Sequence, residues 1–420
     1  MIIKKYIISD KSVLIVSLII PLLIWGPFFP DVIVSLSALV FLIYAIRKKG
    51  FYYFNKKPLI IFFIFCIYCI LVSIFVAKNT ALSIASSLFY FRIGVFACLI
   101  WFLIEKNKKI LNYFYYALVV CFSVLAVDGY IQFFLGVNII GLPLHGDRVS
   151  SFFGKELIMG SYLSRLFPLL FALFLLRKNS KFGIYYIGVL FILIDCLIYI
   201  SGERAAFGLL NLSNLFIIIL IKKYQKIRLF TSVCALVLIA GLTFGYDKLA
   251  DRMVLDTARS FGVLKESQNK NIFSPAHDSL IKTAYNMFLD KPIFGHGPKM
   301  FRVICKDEKY AEGIAPCNTH PHNFYIQLLA ETGIIGFSFL LSTFAYVLYC
   351  VYRQFKSIVL KQKRYLTDYQ VCLLAGILIT VWPLTTNGNF FNNWLMIVYS
   401  LPVGFYLHSI YGKNRKKYFF

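Results

Sequence analysis

Charge is what this chain has least of. Asp, Glu, Lys and Arg together make up 15% of its 420 residues, only 19 residues are acidic, and 59% are hydrophobic. Apolar runs about as long as a bilayer is thick pass with no charged residue in them, as in PLIIFFIFCIYCILVSIFVA (58–77). Equally absent are the short segments of alternating polar and apolar residues that a membrane β-barrel requires, so helices are expected. No small-x-small cleavage site comes after the first run, VLIVSLIIPLLIWGPFF, which reads as a retained helix and not a signal peptide.

A hydrocarbon core of about 30 Å needs roughly 20 helical residues. Twelve runs approach that length: 13–29, 30–46, 58–77, 82–104, 110–135, 157–176, 183–201, 205–221, 229–246, 323–352, 370–386 and 393–411. The expected fold class is therefore all-α, a polytopic integral membrane protein with about 12 transmembrane helices. Residues 1–246 carry helices 1–9, residues 247–322 form one large hydrophilic loop, and residues 323–420 carry helices 10–12.

The formal net charge of +25 invites a nucleic-acid reading, which the placement of the cations opposes. With the N-terminus inside, 27 Lys and Arg fall in inner segments, among them Lys4, Lys5, Arg47, Lys48, Lys49, Lys108, Lys109, Lys222, Arg228, Arg364, Arg415, Lys416 and Lys417. The short outer segments carry four: Lys78, Arg148, Lys155 and Arg204. This asymmetry obeys the positive-inside rule with both termini cytoplasmic. The charge reports topology, and no nucleic-acid partner is expected.

The 247–322 loop then lies outside the cytoplasm, with 11 Lys and Arg against 9 Asp and Glu. Ser274 and Pro275 read as an N-cap and first turn of a helix whose apolar stripe is Leu280, Ile281, Ala284, Met287 and Phe288. Such a helix either rests on the membrane face or packs over the bundle as a lid. Eight of the ten cysteines fall in expected spans; Cys305 and Cys317 share the loop and could form a disulfide in an oxidising compartment. Cys66 and Cys69 have redox-motif spacing, but mid-span they read as packing residues.

Polar residues inside a membrane are costly and mark functional candidates. Arg92 and Arg165 lie within spans, Asp128 and Asp195 towards the outer ends of theirs, and Glu331 inside the tenth. A plain structural reading pairs Arg92 or Arg165 with Asp128 or Asp195. Arg204, in ISGERAAFG, sits at the outer boundary, where it could meet a lipid-borne phosphate or simply snorkel.

The segment THPHNFYIQLLAETGIIGF (319–337) places two histidines where the loop meets the tenth span. Asn323, Gln327 and Glu331, four apart, make a polar stripe on one helix face, and Gly333 and Gly336 mark a bend or a close helix contact. His322 would cap that stripe, where a neutral imidazole can take a proton from an incoming hydroxyl. His320 could share a metal with it, although HxH without a third ligand is weak support for one; otherwise His320 orients its neighbour.

These features resemble the O-antigen ligase and polymerase superfamily of bacterial surface-glycan assembly. Its signature of histidine, then Asn, Ser or Gln, nine residues, glycine, two residues and glycine is met by His322, Asn323, Gly333 and Gly336. DGYIQFFLGVNIIG (128–141), RVSSFFGKELIMGSYL (148–163), GERAAFG (202–208) and DKPIFGHGPKMF (290–301) resemble further family segments, so the resemblance runs from about 128 to 345. It implies a GT-C-like architecture in the bacterial inner membrane with the active site facing the periplasm. It also implies transfer of a glycan from an undecaprenyl pyrophosphate carrier to a hydroxyl of lipid A-core or another acceptor, with no cofactor, nucleotide sugar or metal. His322 would be the base and Arg204 a pyrophosphate clamp. Arg148, His320, Asn323, Gln327, Glu331, Gly333 and Gly336 would support them.

One position departs from the pattern. Before the loop helix the family usually carries an arginine where this chain has His277; either His277 binds anion more weakly or Arg302, ahead of Arg259, substitutes. An O-antigen polymerase, with a second lipid-linked glycan as acceptor, shares the donor chemistry. A lipid-linked glycan transporter is the reading from another class, against which stand the single outer loop and the lack of visible inverted repeats.

Overall fold

Helices dominate the computed structural model, which describes residues 7–48, 50–260 and 273–413. The expected inner cations Lys4, Lys5, Lys49, Arg415, Lys416 and Lys417 lie outside the described residues. Among the described residues, extended pairing is limited to two isolated bridges, Val137 with Pro143 and His145 with Arg148. The protein is all-α.

Eight helices among the described residues are long and apolar enough to cross a membrane: Phe28–Arg47, Lys57–Phe75, Thr80–Lys106, Lys109–Leu135, Lys181–Ile200, Gln225–Gly245, Phe324–Val359 and Asn393–Tyr411. Three of the expected spans are shorter apolar helices, Met159–Leu175, Arg204–Leu220 and Asp368–Thr380. The first expected span is two short helices, Asp10–Ser17 and Ile19–Leu22, that meet at Leu18. Pro21 explains the break: it has no N–H to offer the carbonyl of Ser17, so the ladder cannot run through. The eleventh run stops at Thr380, six residues early, and a non-helical strap then leads to Asn392.

Met159–Leu175 is the central helix. Every residue in it except Ser161 is buried, as expected of a helix apolar on all sides. It packs against Asp368–Thr380, Arg204–Leu220 and Lys109–Leu135. Outward faces present large apolar side chains instead, Phe75, Phe182 and Phe244 being at least 79% exposed, which suits a lipid surround.

The two ends of the bundle differ in chemistry. At one end the connections are short and basic and tie to one another: Lys109 Nζ pairs with Asp10 at 2.5 Å, the Lys222 and Lys223 amides donate to Asp368, and Arg364 Nη1 donates to the Leu220 carbonyl. At the other end lie the break after Leu22, the 136–158 segment, Ser201–Glu203, the large loop and the 381–392 strap.

The loop helix forms as expected over Pro275–Asp290 with Ser274 at its N-cap position. Leu280, Ala284 and Met287 are buried with Phe301, Ile304, Cys305, Tyr310 and Ala330 in a second apolar core, so this helix packs on the projecting end of Phe324–Val359. A disulfide joins Cys305 to Cys317 beside that core.

The charges within the spans pair differently from the expected scheme. Arg92 bonds Asp31 at 2.5 Å and Ser35, and Asp195 binds Arg228 at 2.7 Å, a residue expected in an inner segment. Arg228 is fully buried, stacked on Phe167 and bonded to Asn214 and Thr231. Asp128 accepts from Ser151 Oγ, Asn138 Nδ2 and the Ile139 amide. Spacing along the chain could not reveal the Arg92–Asp31 and Arg228–Asp195 pairs, because each joins two helices.

The Arg228–Asp195 pair should be a stability element. Asp195→Ala leaves a guanidinium unpaired in the bundle and is expected to cost about 3–5 kcal/mol, read as a lowered thermal midpoint of the purified protein in detergent. The double variant Asp195→Leu with Arg228→Met should recover most of that loss; no recovery would show that the two do not act as a unit.

Candidate active site

A cavity of about 890 Å³ opens at the loop end of the bundle. Segments far apart in the chain form its walls: the Leu23–Pro27 break, the 148–161 segment with Arg148, Glu156 and Ser161, the three histidines His277, His320 and His322, and the strap with Thr386, Asn387 and Asn392.

The histidines are held as a cluster. Ring centroids lie 5.1 Å apart for His277 and His322 and 4.0 Å apart for His320 and His322. Ser274 Oγ sits 2.7 Å from His277 Nδ1, so this residue at the N-cap position serves the ring and not the helix end. Thr319 Oγ1 lies 2.8 Å from His320 Nδ1, and Asn318 Nδ2 approaches His322 Nε2 at 3.4 Å. His322 has φ 56°, a left-handed conformation that costs a non-glycine residue of order 1–3 kcal/mol. The Asn387 amide holds it there by donating to the His322 carbonyl at 2.7 Å.

The same surroundings keep the imidazoles neutral. Burial, reinforced by the neighbouring His277, pushes His322 down to about 4. Burial first, then His322, pushes His320 down to about 3, and burial with Arg204 lowers His277. Among the described residues no three His, Cys, Asp or Glu side chains converge as a metal site.

Beside the histidines three guanidinium groups converge. Arg148 Nε donates to the Ser201 carbonyl, Arg252 Nε donates to the Gly202 carbonyl at 2.9 Å, and Arg204 begins the next helix. They are near enough that the charges of Arg252 and Arg204 add to burial in lowering Arg148, and Arg204 does the same to Arg252. Glu203 lies behind them, its carboxylate accepting from the Gly160 and Ser161 amides at 2.6 and 2.9 Å. Burial raises its pKa against the pull of those amides and of Arg148. Gly202 has φ 68°, a left-handed conformation that favours glycine, and a Cβ there would push on the Arg252 side chain, 2.7 Å away. Arg252 was not among the residues singled out by sequence: its only signal there was a cation in a mixed-charge loop.

Arg148, His277, His320 and His322 line the cavity; Arg204, which donates to Ser260 Oγ at 3.3 Å, is near enough for its charge to reach His277, and the exposed Arg302 is near enough to reach His320 and Lys299. Arg259 instead bonds Asp256.

The polar stripe supports the site from behind. Asn323 caps the helix, its Oδ1 accepting from the Tyr325 and Ile326 amides and its Nδ2 donating to the Pro383 and Thr385 carbonyls. Gln327 bonds the Phe390 amide, Asn389 Oδ1 and Glu331; Glu331 takes the Phe301 amide. Gln327 and Glu331 are fully buried, so the stripe clamps the strap and the loop to the helix.

Gly333 breaks the helix with φ 63°, ψ −169°. The break frees backbone groups that the 290–297 turn takes up. The His296 and Gly297 amides donate to the Ala330 and Glu331 carbonyls, Tyr68 donates to the Thr332 carbonyl, and the Ile334 amide donates to the Pro292 carbonyl. A Cβ on Gly333 would lie 2.1 Å from the Ile293 oxygen, and one on Gly295 2.5 Å from the Glu331 carbonyl carbon. The two glycine motifs are therefore halves of one backbone contact.

Fold and cavity define the class: a polytopic all-α membrane protein with a cavity at one end of its bundle that is lined by Arg148 and three histidines among apolar residues. Residues 187–341 match the family model described as O-antigen ligase, which supports the O-antigen ligase superfamily as the family of this chain. That segment spans Arg204, Arg252, the loop, His322 and both motif glycines; Arg148 and the strap lie outside it. No curated protein matches the chain. The family points to a function of the ligase or polymerase type.

Gly333→Ala should disrupt the site without touching a side chain in it. The φ, ψ pair is essentially restricted to glycine and alone costs about 1–3 kcal/mol, before the contact with Ile293. A lowered thermal midpoint together with faster proteolysis near residue 293 is the expected outcome; wild-type behaviour in both would refute the shared backbone contact.

Proposed function

We propose that the protein is an O-antigen ligase-like glycosyltransferase. It moves a glycan from undecaprenyl pyrophosphate to a hydroxyl of lipid A-core, or another surface acceptor, at the periplasmic face of the bacterial inner membrane, with both termini cytoplasmic. The observation that carries this reading is a neutral histidine opening into the same cavity as Arg148, whose guanidinium is backed by the nearby charges of Arg204 and Arg252.

Transfer breaks the bond between the anomeric carbon of the glycan and the pyrophosphate oxygen, and forms one from that carbon to the acceptor oxygen. His322, with a free lone pair above pH 4, takes the acceptor proton. The carrier pyrophosphate leaves with the bonding pair, and its charge is met by Arg148, Arg204 and Arg252. His277, held neutral next to Arg204, offers a hydrogen bond and no full charge, which is how the chain accommodates histidine where relatives carry arginine. Arg302, whose charge reaches His320, suits a second contact with the carrier phosphates. The reaction so drawn uses no nucleotide sugar and no metal. The basic connections at the opposite end of the bundle support the topology, since they belong on the cytoplasmic side.

The test is glycan transfer in a bacterial strain lacking its own ligase, at matched membrane expression. Wild type should cap lipid A-core with glycan. His322→Ala should lose at least 100-fold in rate, the usual scale for a missing general base, and Arg204→Ala and Arg252→Ala about 10-fold or more. Carrier-linked glycan that lengthens while lipid A-core stays uncapped would replace the ligase with the polymerase; full activity of His322→Ala would end the catalytic assignment.

A pH profile adds an independent check. The lone pair on His322 is lost as pH falls through its folded value, so kcat/KM should hold across neutral pH and fall only near pH 4. Bound pyrophosphate adds negative charge beside the ring and raises its pKa, so the acid limb of kcat should lie at higher pH than that of kcat/KM. Coincident limbs near 6.5 would mean that the cavity does not depress this histidine.

A further inference from the structure

One wall of the cavity is not used by this chemistry. Arg165 is 2% exposed and Asn387 4% exposed. Arg165 Nη2 donates to Asn387 Oδ1 at 2.8 Å, and its guanidinium carbon lies 4.2 Å from the centre of the Tyr399 ring. Asn387 and Tyr399 line the cavity beside Trp394, whose indole N–H is fixed on the Leu23 carbonyl, and Trp25, which is 78% exposed. Arg165 Nε and Asn387 Nδ2 are buried and have no hydrogen-bond partner. Of the two partners expected for Arg165, Asp128 and Asp195, it meets neither.

A buried N–H without an acceptor is costly, so two of them next to a cavity call for a ligand that supplies neutral acceptor oxygens. The single guanidinium is already spread against an aromatic face, whereas three convergent guanidinium groups on the 148–252 side fit a polyanion better. Indole and phenol faces suit the C–H face of a pyranose ring, whose hydroxyls can take the open donors. The Asn387 amide also holds the His322 carbonyl, which puts the wall one peptide unit from the proposed base.

We propose that Arg165 and Asn387, flanked by Tyr399 and Trp394, form a subsite for the hydroxyls of a pyranose. This rests on the glycan-transfer reading for the reaction it serves, and the sugar is either the first residue of the donor or that of the acceptor.

The test uses the full-length protein in nanodiscs and three probes: undecaprenyl pyrophosphate without sugar, undecaprenyl-pyrophosphate-linked N-acetylglucosamine, and core oligosaccharide released from lipid A, with binding read by tryptophan fluorescence. Wild type is compared with Asn387→Ala and with the nearly isosteric, uncharged Asn387→Leu, each shown to elute and melt as wild type does. In both variants binding of the sugar-free carrier is expected to stay unchanged, while one sugar-bearing probe weakens about tenfold, the worth of one hydrogen bond. Weakening of the carrier-linked sugar assigns the wall to the donor, and weakening of the core oligosaccharide assigns it to the acceptor. Equal loss on all three probes, or loss on none, overturns the subsite. Failure of the transfer reading shows separately, as sugar-free carrier that binds wild type and Arg204→Ala alike; oligosaccharide binding and its dependence on Asn387 are still measured in that case.

Discussion

The helix break at Gly333 is the constraint on which the loop end of the molecule depends. An unbroken Phe324–Val359 helix would satisfy its own carbonyls and offer the loop nothing but side chains. By turning out of helical geometry at one residue, the chain exposes the carbonyls of Ala330, Glu331 and Thr332 in a region where water is scarce and unmet backbone groups are expensive. The 290–297 turn and Tyr68 meet all three, so the large polar loop is docked by backbone geometry at a single point. His277, at the start of the loop helix, and His322, just before the projecting helix, are brought together because both of those helices are anchored there.

Side chains complete what the backbone begins. Asn323, Gln327 and Glu331 reach across to the strap and to the turn before Phe301, and each makes at least one hydrogen bond to another segment. A polar stripe on a membrane helix is more often taken for a ligand surface than for a clamp. Here full burial of Gln327 and Glu331 decides the matter. The cavity is left with groups that the clamps do not use, among them three imidazoles, the Arg148 guanidinium and the side chains of Asn387 and Asn392.

Much of this was legible in the sequence, for identifiable reasons. Helices announce themselves because a bilayer demands unbroken apolar length, and the Gly333 bend could be read because glycine in an apolar helix needs a reason. His322 stood out through its place between a polar loop and a span. What escaped was whatever depends on helix-to-helix contact. Arg228 looked like one more inner cation until its Asp195 partner, 33 residues back, was seen across the bundle. Arg252 sits in a loop where lysines and arginines abound, and nothing local marks it; Gly202, its contact, is 50 residues earlier. The first half of the strap was hidden by its own apolar residues, Trp382 and Leu384, which read as a continuation of the eleventh span to residue 386, although Asn387 and Asn392 beyond it line the cavity.

The arrangement of charge in the cavity also argues for an order of events in the proposed reaction. Burial and mutual repulsion lower Arg148 and Arg252 despite the carboxylate of Glu203, and burial lowers all three histidines, with the charge of Arg204 adding to it at His277. An arriving pyrophosphate acts on both sets of groups: it compensates the guanidinium charge and makes the neighbouring imidazole a stronger base. His322 would therefore be weakly basic in the empty cavity and better able to take a proton once the donor is seated. Coupling of this kind requires no moving part, because the bound anion itself changes the electrostatics at the imidazole. It favours removal of the acceptor proton when the donor is present to receive the resulting oxygen nucleophile, and it limits protonation of the base while the cavity is empty.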